Sequence, residues 1–581
     1  MWQESIAKSI KELLVCRIFG FTGKNRETLE RMGEVLALGG PDDFGFFESE
    51  AFSLGHRRLS IIDLSSHARQ PMEFDNLVIS YNGEVYNYNE IKKELGEYSF
   101  TTTSDTEVIL KAFHKWGLEA VHKFHGMFAI ALWDKSTQKL TLIRDRAGVK
   151  PLYYYFDGKT FIFASELKAL ILHPAFKKNL NMRASSLYFQ LGFVPGKHAI
   201  FQNTFKLLPG HYLIFDGKSV VTKEYWKLPQ KKLAISYEEA KEQTKALLQK
   251  SFAYRLVSDV EVGLFLSGGI DSSFLASYLA KKRNIKTFTI GFKDERFNEA
   301  KIAAQTAKIL GTKHYELYFD VVDLLELLPK IADIFDEPFG DSSALPTYLV
   351  AKLAREHVKV ALSADGADEL FGGYPLNFKN QKRFFFYKML RFLRPVLRKK
   401  RKYMATKSFW EYKLALRYRI YPDELQEEFL LDALECNALL ECMFLFDFHY
   451  FLTDDVLVKV DRTTMANSLE AREPYLDHDL IEFAFSLPLH FRMSKQILRE
   501  LLHEELPHLA KLPKQGFSVP IKYWLRNELK EQVLDLLYTP SLLDNIIKKD
   551  TIIKEFLKSG KRTNAIWLMY MFRLWEERYM R

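Results

Sequence analysis

EVGLFLSGGIDSSFLASYLAKKRN (261–284) decides the fold of the larger part of this chain. EVGLFL is a short, continuous apolar run of the kind that forms a strand buried on both faces, and SSFLASYLAKKRN carries a helical period. Between them lies SGGIDS (267–272). Gly268 and Gly269 allow a tight turn that aims successive backbone N–H groups into one concavity. Ser267, Ser272 and the following helix N-terminus add donors, so the loop suits a phosphate-sized anion. Outward from it, KTFTIGF (286–292) and KVALSAD (359–365) repeat the apolar-strand pattern, with a helical stretch at EAKIAAQTAKILG (299–311). Strands alternating with helices predict a parallel α/β sheet covered on both sides.

Upstream, from Cys16 to about residue 225, the texture differs. Short β-rich runs such as NLVISYNGEVYN (76–87), GMFAIALWD (126–134), KLTLIRD (139–145) and TFIFASE (160–166) are separated by Gly, Asn and Asp turns. They predict a sheet-rich layered domain. EYWKLPQKKLAISYEEA (224–240) changes character and marks the boundary, with a linker expected over 226–240. The α/β unit is expected over 241–525, with a helical, aromatic and basic extension over 526–581.

The chain has 581 residues, 47% hydrophobic and 27% charged, with a net charge of +9. At about 150 residues per domain this predicts two to four domains and excludes disordered and collagen-like classes. So small an excess over so long a chain does not suggest a nucleic-acid binder, and LRKKRK (397–402) reads as a solvated face. No apolar run approaches a membrane span, and residues 1–15 do not resemble a secretory signal. Three cysteines, Cys16, Cys436 and Cys442, are too few for a disulfide framework and suit a reducing cytoplasm. Cys436 and Cys442 are expected to pack in a helical core rather than bind metal. GKS (217–219) is no phosphate loop, because Tyr212 stands where such a loop needs Gly, and HEELPH (503–508) is one residue too long for a zinc helix.

The later blocks carry a resemblance. SGGIDS after a first parallel strand is similar to the pyrophosphate loop of ATP pyrophosphatases. SADGADELFGGY (363–374), KVDRTTMANSLEAREPYLD (459–477) and KQILRE (495–500) resemble the synthetase domain of glutamine-hydrolysing asparagine synthetases. This implies ATP as substrate, bound at Leu266, Ser267, Gly268, Gly269, Asp271, Ser272, Ile290, Ser363 and Ala364. It also implies Mg²⁺ held by Asp271 and Asp368, an acceptor-side acid at Asp365, and a charge-neutralising Lys495. Hard carboxylate oxygens suit Mg²⁺, and a fixed cation suits attack on a phosphate.

The first part resembles class II glutamine amidotransferases, in which an N-terminal cysteine is nucleophile and its own amine the base. The resemblance implies an Ntn-hydrolase-like αββα glutaminase. Cys16, opening CRIFGFTG, is its nucleophile. Arg58 in GHRRLSIID clamps the glutamine carboxylate, Asn82 and Gly83 in YNGEVYN form the oxyanion pair, and Glu84 and Asp105 read the glutamine amine. Two departures stand out. Leu38 and Gly39 precede GGPDD (39–43) where the family has His-Arg, and Cys16 follows fifteen residues that would make its amine an amide. The preferred explanation is a start at Val15, through a GTG codon read as a removable Met. A cleaved propeptide and an inactive glutaminase are the rivals.

The function implied is glutamine- and ATP-dependent amidation of aspartate to asparagine through an aspartyl-adenylate. The same chemistry on another carboxylate, such as a uronic-acid sugar, is the alternative. DEPFGDSSALPTY (336–348), expected near the acceptor, has no Arg to pair with an amino acid's α-carboxylate. A scaffold homologue is the reading of another class. A homodimer is expected by analogy with the family, with neither nucleic acid nor membrane as partner.

Overall fold

A computed structural model describes residues 16–40, 42–293, 300–320, 323, 325–374, scattered positions between 383 and 436, 439–507, 509 and 519–580. Residues 1–15 and LRKKRK (397–402) lie outside the described residues. The amino-terminal unit contains β1 (Arg17–Thr22), β2 (Asp43–Glu48), β3 (Phe52–Arg58), β4 (Met72–Phe74), β5 (Leu77–Val85), β6 (Gly126–Asp134), β7 (Lys139–Arg144), β8 (Tyr153–Phe156), β9 (Phe161–Ala164), β10 (Thr204–Lys206), β11 (His211–Phe215) and β12 (Val220–Glu224). They form two six-stranded sheets, ordered β10-β8-β9-β1-β3-β2 and β12-β11-β7-β6-β5-β4. The pairings within both are antiparallel.

The period-two alternation of β6 explains the layering. Phe128 and Ile130 pack with Val108 and Ile109 of the helix Asp105–Trp116. Ala129, Ala131 and Trp133 turn the other way, into a core shared with Ile18, Phe52 and Phe163 of the facing sheet. On the far side, Leu29 and Met32 of the helix Arg26–Val35 cover Phe19 and Phe21. The result is the αββα sandwich expected. The GKS segment is the turn between β11 and β12, where the Asp216 carboxylate accepts from the Lys218 and Ser219 amides.

The second unit is entered by the helix Tyr237–Tyr254, which begins inside the stretch expected to be linker. Ser236 and Glu239 form a capping box there, satisfying two N-terminal amides reciprocally. β13 (Val262–Phe265), β14 (Lys286–Phe292), β15 (Lys313–Phe319), β16 (Val360–Leu362) and β17 (Glu470–Arg472) make a parallel sheet ordered β15-β14-β13-β16-β17. The order reverses at β13, between β14 and β16, so a crevice opens beyond the carboxyl ends of β13 and β16. SGGIDS follows β13 and SADGAD follows β16. The topology therefore brings together two motifs almost a hundred residues apart.

The helix Thr563–Tyr579 closes the chain and ties the units together. Trp575 Nε1 donates to the Asp336 carbonyl at 2.9 Å, and Tyr188 Oη donates to the Leu568 carbonyl at 3.0 Å. Cys436 and Cys442 correct the sequence expectation. They are bonded to each other, with Cα atoms 5.4 Å apart. Among the described residues no helix is long and apolar enough to cross a membrane.

Candidate active sites

The first centre lies at the open end of the sandwich. Cys16 precedes β1, and its Sγ accepts from the Leu59 amide, just after β3, at 3.1 Å. Burial pushes the thiol up to about 12, against the lowering effect of that hydrogen bond. The thiol is therefore protonated at neutral pH and needs a base to become a nucleophile. Arg58, Gly83, Glu84 and Asp105 line the same pocket. Arg58 is held by the Ser65 carbonyl at 2.9 Å and by the carbonyl of Asp63.

Asn82 stands on β5 between Tyr81 and Gly83 but is not among the residues that line this pocket; it is 1% exposed, and neither its Oδ1 nor its Nδ2 has a hydrogen-bond partner among the described residues. A buried amide with unspent donors is costly unless a ligand uses it. Asp105, first residue of a helix capped by Ser104, accepts from Tyr81 Oη at 2.9 Å and from the Val85 amide at 3.1 Å. Burial lifts it to about 6. Glu84 is raised by burial too, although Arg472 lies 3.2 Å away and opposes the rise.

The second centre is the crevice at the sheet's switch point, a cleft of about 800 Å³. Gly268 adopts φ +71°, a left-handed conformation that only glycine takes freely. Ser267 and Ser272 hydroxyls lie 3.0 Å apart across the loop, and Gly269 begins the helix Ile270–Ala280 with no side-chain cap. The helix's first amides are thus left to the cleft.

Lys495 is buried at the cleft wall, bonded to Asp271 and 2.6 Å from Asp368. Burial works against its charge, yet the two carboxylates hold the ammonium above its ordinary range. Ser494 and Lys495 both sit at left-handed φ, +56° and +57°. Such conformations cost about 1–3 kcal/mol each and persist where neighbours over-determine them. Gly373 shows how tight the place is: a Cβ there would lie 1.6 Å from Asp368 Oδ1 and 2.2 Å from Lys495 Cε. Asp365 takes a hydrogen bond from the Ser363 hydroxyl.

The structure brings Ser267, Gly268, Gly269, Asp271, Ser272, Ser363, Ala364, Asp365, Asp368 and Lys495 to one cleft. The side chains of Leu266 and Ile290 are packed in the core, 1% and 3% exposed, so any contact they make with a nucleotide is through the backbone. Sequence reasoning missed Lys459, whose Nζ lies 3.0 Å from both Asp341 Oδ2 and Ser343 Oγ at the cleft. The cation missing from 336–348 thus arrives from another helix. It also missed Glu470, which reaches the Cys16 pocket from β17.

Buried ion pairs join the two centres. Arg17, beside Cys16, contacts Glu166 at 2.5 Å and Asp461 at 3.1 Å, while Arg462 contacts Glu166 at 2.7 Å and Asp336 at 3.0 Å. A cysteine-centred αββα hydrolase unit and a parallel-sheet unit with an anion-binding loop are thus locked together. Fold and sites define an enzyme with two centres in one chain.

Comparison with known proteins gives the particular family. Residues 243–577 match the asparagine synthase model and residues 15–226 the glutamine amidotransferase domain. Asparagine synthetase [glutamine-hydrolyzing] 1 of Bacillus subtilis (strain 168) is 33% identical, over 96% of this chain and 95% of that protein. Asparagine synthetase [glutamine-hydrolyzing] 3 of the same organism is 30% identical, over 91% of each chain. The chain belongs to the asparagine synthase family, and its chemistry is glutamine- and ATP-dependent amidation.

Proposed function

We propose that the chain makes asparagine from aspartate. Cys16 releases ammonia from glutamine, and the sites named above hold the glutamine: Arg58 its carboxylate, Glu84 and Asp105 its amine, Asn82 and Gly83 the tetrahedral oxyanion. In the cleft the side-chain carboxylate of aspartate attacks the α-phosphorus of ATP. Pyrophosphate leaves toward Ser267–Ser272, and ammonia then displaces AMP from the acyl-adenylate. Lys495 neutralises charge building on the phosphate. The observation carrying this reading is the convergence of Lys495, Asp271 and Asp368 beside the SGGIDS loop.

Asp271 and Asp368 are the donors that fit Mg²⁺. Both are carboxylates, both line the nucleotide cleft, and both already gather around one cation. When bound there the metal would neutralise the phosphates. Lys459, poised by Asp341 and Ser343, is the candidate partner for the aspartate α-carboxylate. We further propose that the working chain begins at Cys16, with the glutaminase over 16–225 and the synthetase over 241–525. Among the described residues the Leu59 backbone, Glu470, Arg58 and Glu84 are the groups that bear most on the buried thiol, and a free α-amine is the base this reading assigns to it.

The test is an incubation with ATP, Mg²⁺, aspartate and ammonium chloride, which bypasses Cys16. Equal yields of asparagine and pyrophosphate support the reading. Folded, ATP-binding protein giving no aspartate-dependent pyrophosphate overturns aspartate as acceptor and makes uronic-acid sugars the next substrates.

A further inference from the structure

A second large cavity, of about 990 Å³, opens between the two units and shares no wall residue with either active centre. Trp226 and Leu228 line it from the segment after β12, Phe444 from the helix Leu439–Phe446, and Phe485 and Arg492 from beyond β17. Much of the wall is apolar, and Arg492 is the charged group buried deepest in it.

Arg492 is 1% exposed and lies over the rings of Phe444 and Phe485, at 4.5 and 4.1 Å from their centroids. Its Nε donates to the Leu370 carbonyl at 2.7 Å and its Nη2 to the Glu369 carbonyl at 3.4 Å. Among the described residues no carboxylate pairs with it. Burial alone pushes the guanidinium down, to about 9, with no acid offsetting the cost. A buried cation lacking an anion is expensive to keep. Lys232 stands at the exposed rim, its Nζ 2.6 Å from the Phe485 carbonyl; partial burial, and after it Arg492, lowers its ammonium, with Glu441 opposing. Arg146 and Lys227 also face the space, against the carboxylates Glu224 and Glu441. The cavity is therefore positive overall, but its acids would repel a polyphosphate.

We propose that this cavity binds a small organic monoanion with an apolar body, a carboxylate or sulfonate on an alkyl chain or ring. The head group lies against Arg492 and Lys232, and the body against Trp226, Leu228 and Phe444. Occupancy is coupled to the synthetase centre. The carbonyls that Arg492 holds belong to the helix Ala367–Leu370, which carries Asp368. A head group that draws on Arg492 loosens that clamp, so the anion and ATP change each other's affinity.

The full-length protein is titrated with 8-anilinonaphthalene-1-sulfonate, followed by fluorescence, with decanoate and ATP as competitors. The proposal expects one dye site per chain, displaced competitively by decanoate, while ATP shifts the dye Kd only to a saturating limit, as coupling between separate sites requires. It expects about tenfold weaker binding in both Lys232→Met and Arg492→Met, the loss of a charge-assisted contact. Lys232 is at the exposed rim, so that variant keeps the test open even where Arg492→Met fails to fold. Dye affinity unchanged in folded Lys232→Met, competitive displacement by ATP with no saturating limit, or no binding at all overturns the site. An ATP Kd unaffected by saturating decanoate overturns the coupling.

Discussion

Arg472 of the synthetase unit places its Nη2 3.2 Å from Oε1 of Glu84 in the glutaminase unit. Its Nε is 2.8 Å from Glu470, and its Nη1 donates to the carbonyls of Arg255 and Val257. The acid expected to read glutamine's amine is thus positioned from the other unit. Arg472→Gln strips Glu84 of its close cation and leaves Glu470 with Lys150 at 4.0 Å, at about 3–5 kcal/mol for the broken buried pair. Glutamine-dependent synthesis is expected to fall more than ammonia-dependent synthesis, a ratio read by running both assays on one preparation. Equal losses would mean that the pair has no special part in glutamine use.

Asn82 supplies a sharper test. Its side chain makes no hydrogen bond among the described residues, so Asn82→Ala takes no hydrogen bond from them. Glutaminase kcat is expected to fall about 10²–10³-fold, the loss typical of an oxyanion donor. The thermal midpoint is expected to stay put. A shifted midpoint with unchanged kcat would assign Asn82 a packing role.

Gly373→Ala forces a methyl into the Asp368–Lys495 contact. Ammonia-dependent pyrophosphate release is expected to drop at least about 100-fold, the scale of a lost electrostatic contact at a reacting phosphate. Glutamine hydrolysis, measured as glutamate, should persist. Retained pyrophosphate release would show that this contact is not needed.

Glu337 gives a pH signature between the units. Its carboxylate accepts from the Ile200 amide at 2.7 Å and from Tyr153 Oη at 3.2 Å, and burial lifts it to about 7. A carboxyl raised in the fold binds more protons folded than unfolded, so stability falls as pH climbs from about 4.5 through 7. Glu337→Gln is expected to raise the thermal midpoint at pH 8 and to gain little at pH 5. An equal effect at both pH values would refute the assignment.

How much of this could be read from sequence depends on the range of the interactions. SGGIDS was legible because an anion loop is local: strand, glycines and helix start lie within a dozen residues. The alternation of GMFAIALWD similarly announced two faces. Cys16, Arg58, Asn82, Glu84 and Asp105 were legible only through family resemblance, since each alone is an ordinary turn or surface residue. Lys459 reaching Asp341, and Arg472 reaching Glu84, are separated by more than a hundred residues, and no local pattern encodes such contacts. The Cys436–Cys442 bond was hidden for a related reason, because a continuous helix would hold two cysteines six residues apart too far from each other to bond.

The most direct measurement is oxygen transfer from aspartate carrying ¹⁸O in its side-chain carboxylate, incubated with ATP, Mg²⁺ and ammonium chloride. An acyl-adenylate leaves one carboxylate oxygen on the α-phosphorus when ammonia displaces AMP. The account predicts one ¹⁸O per AMP, in step with the asparagine formed. Unlabelled AMP alongside asparagine would contradict the adenylate, and no asparagine from folded, ATP-binding protein would contradict aspartate as the substrate.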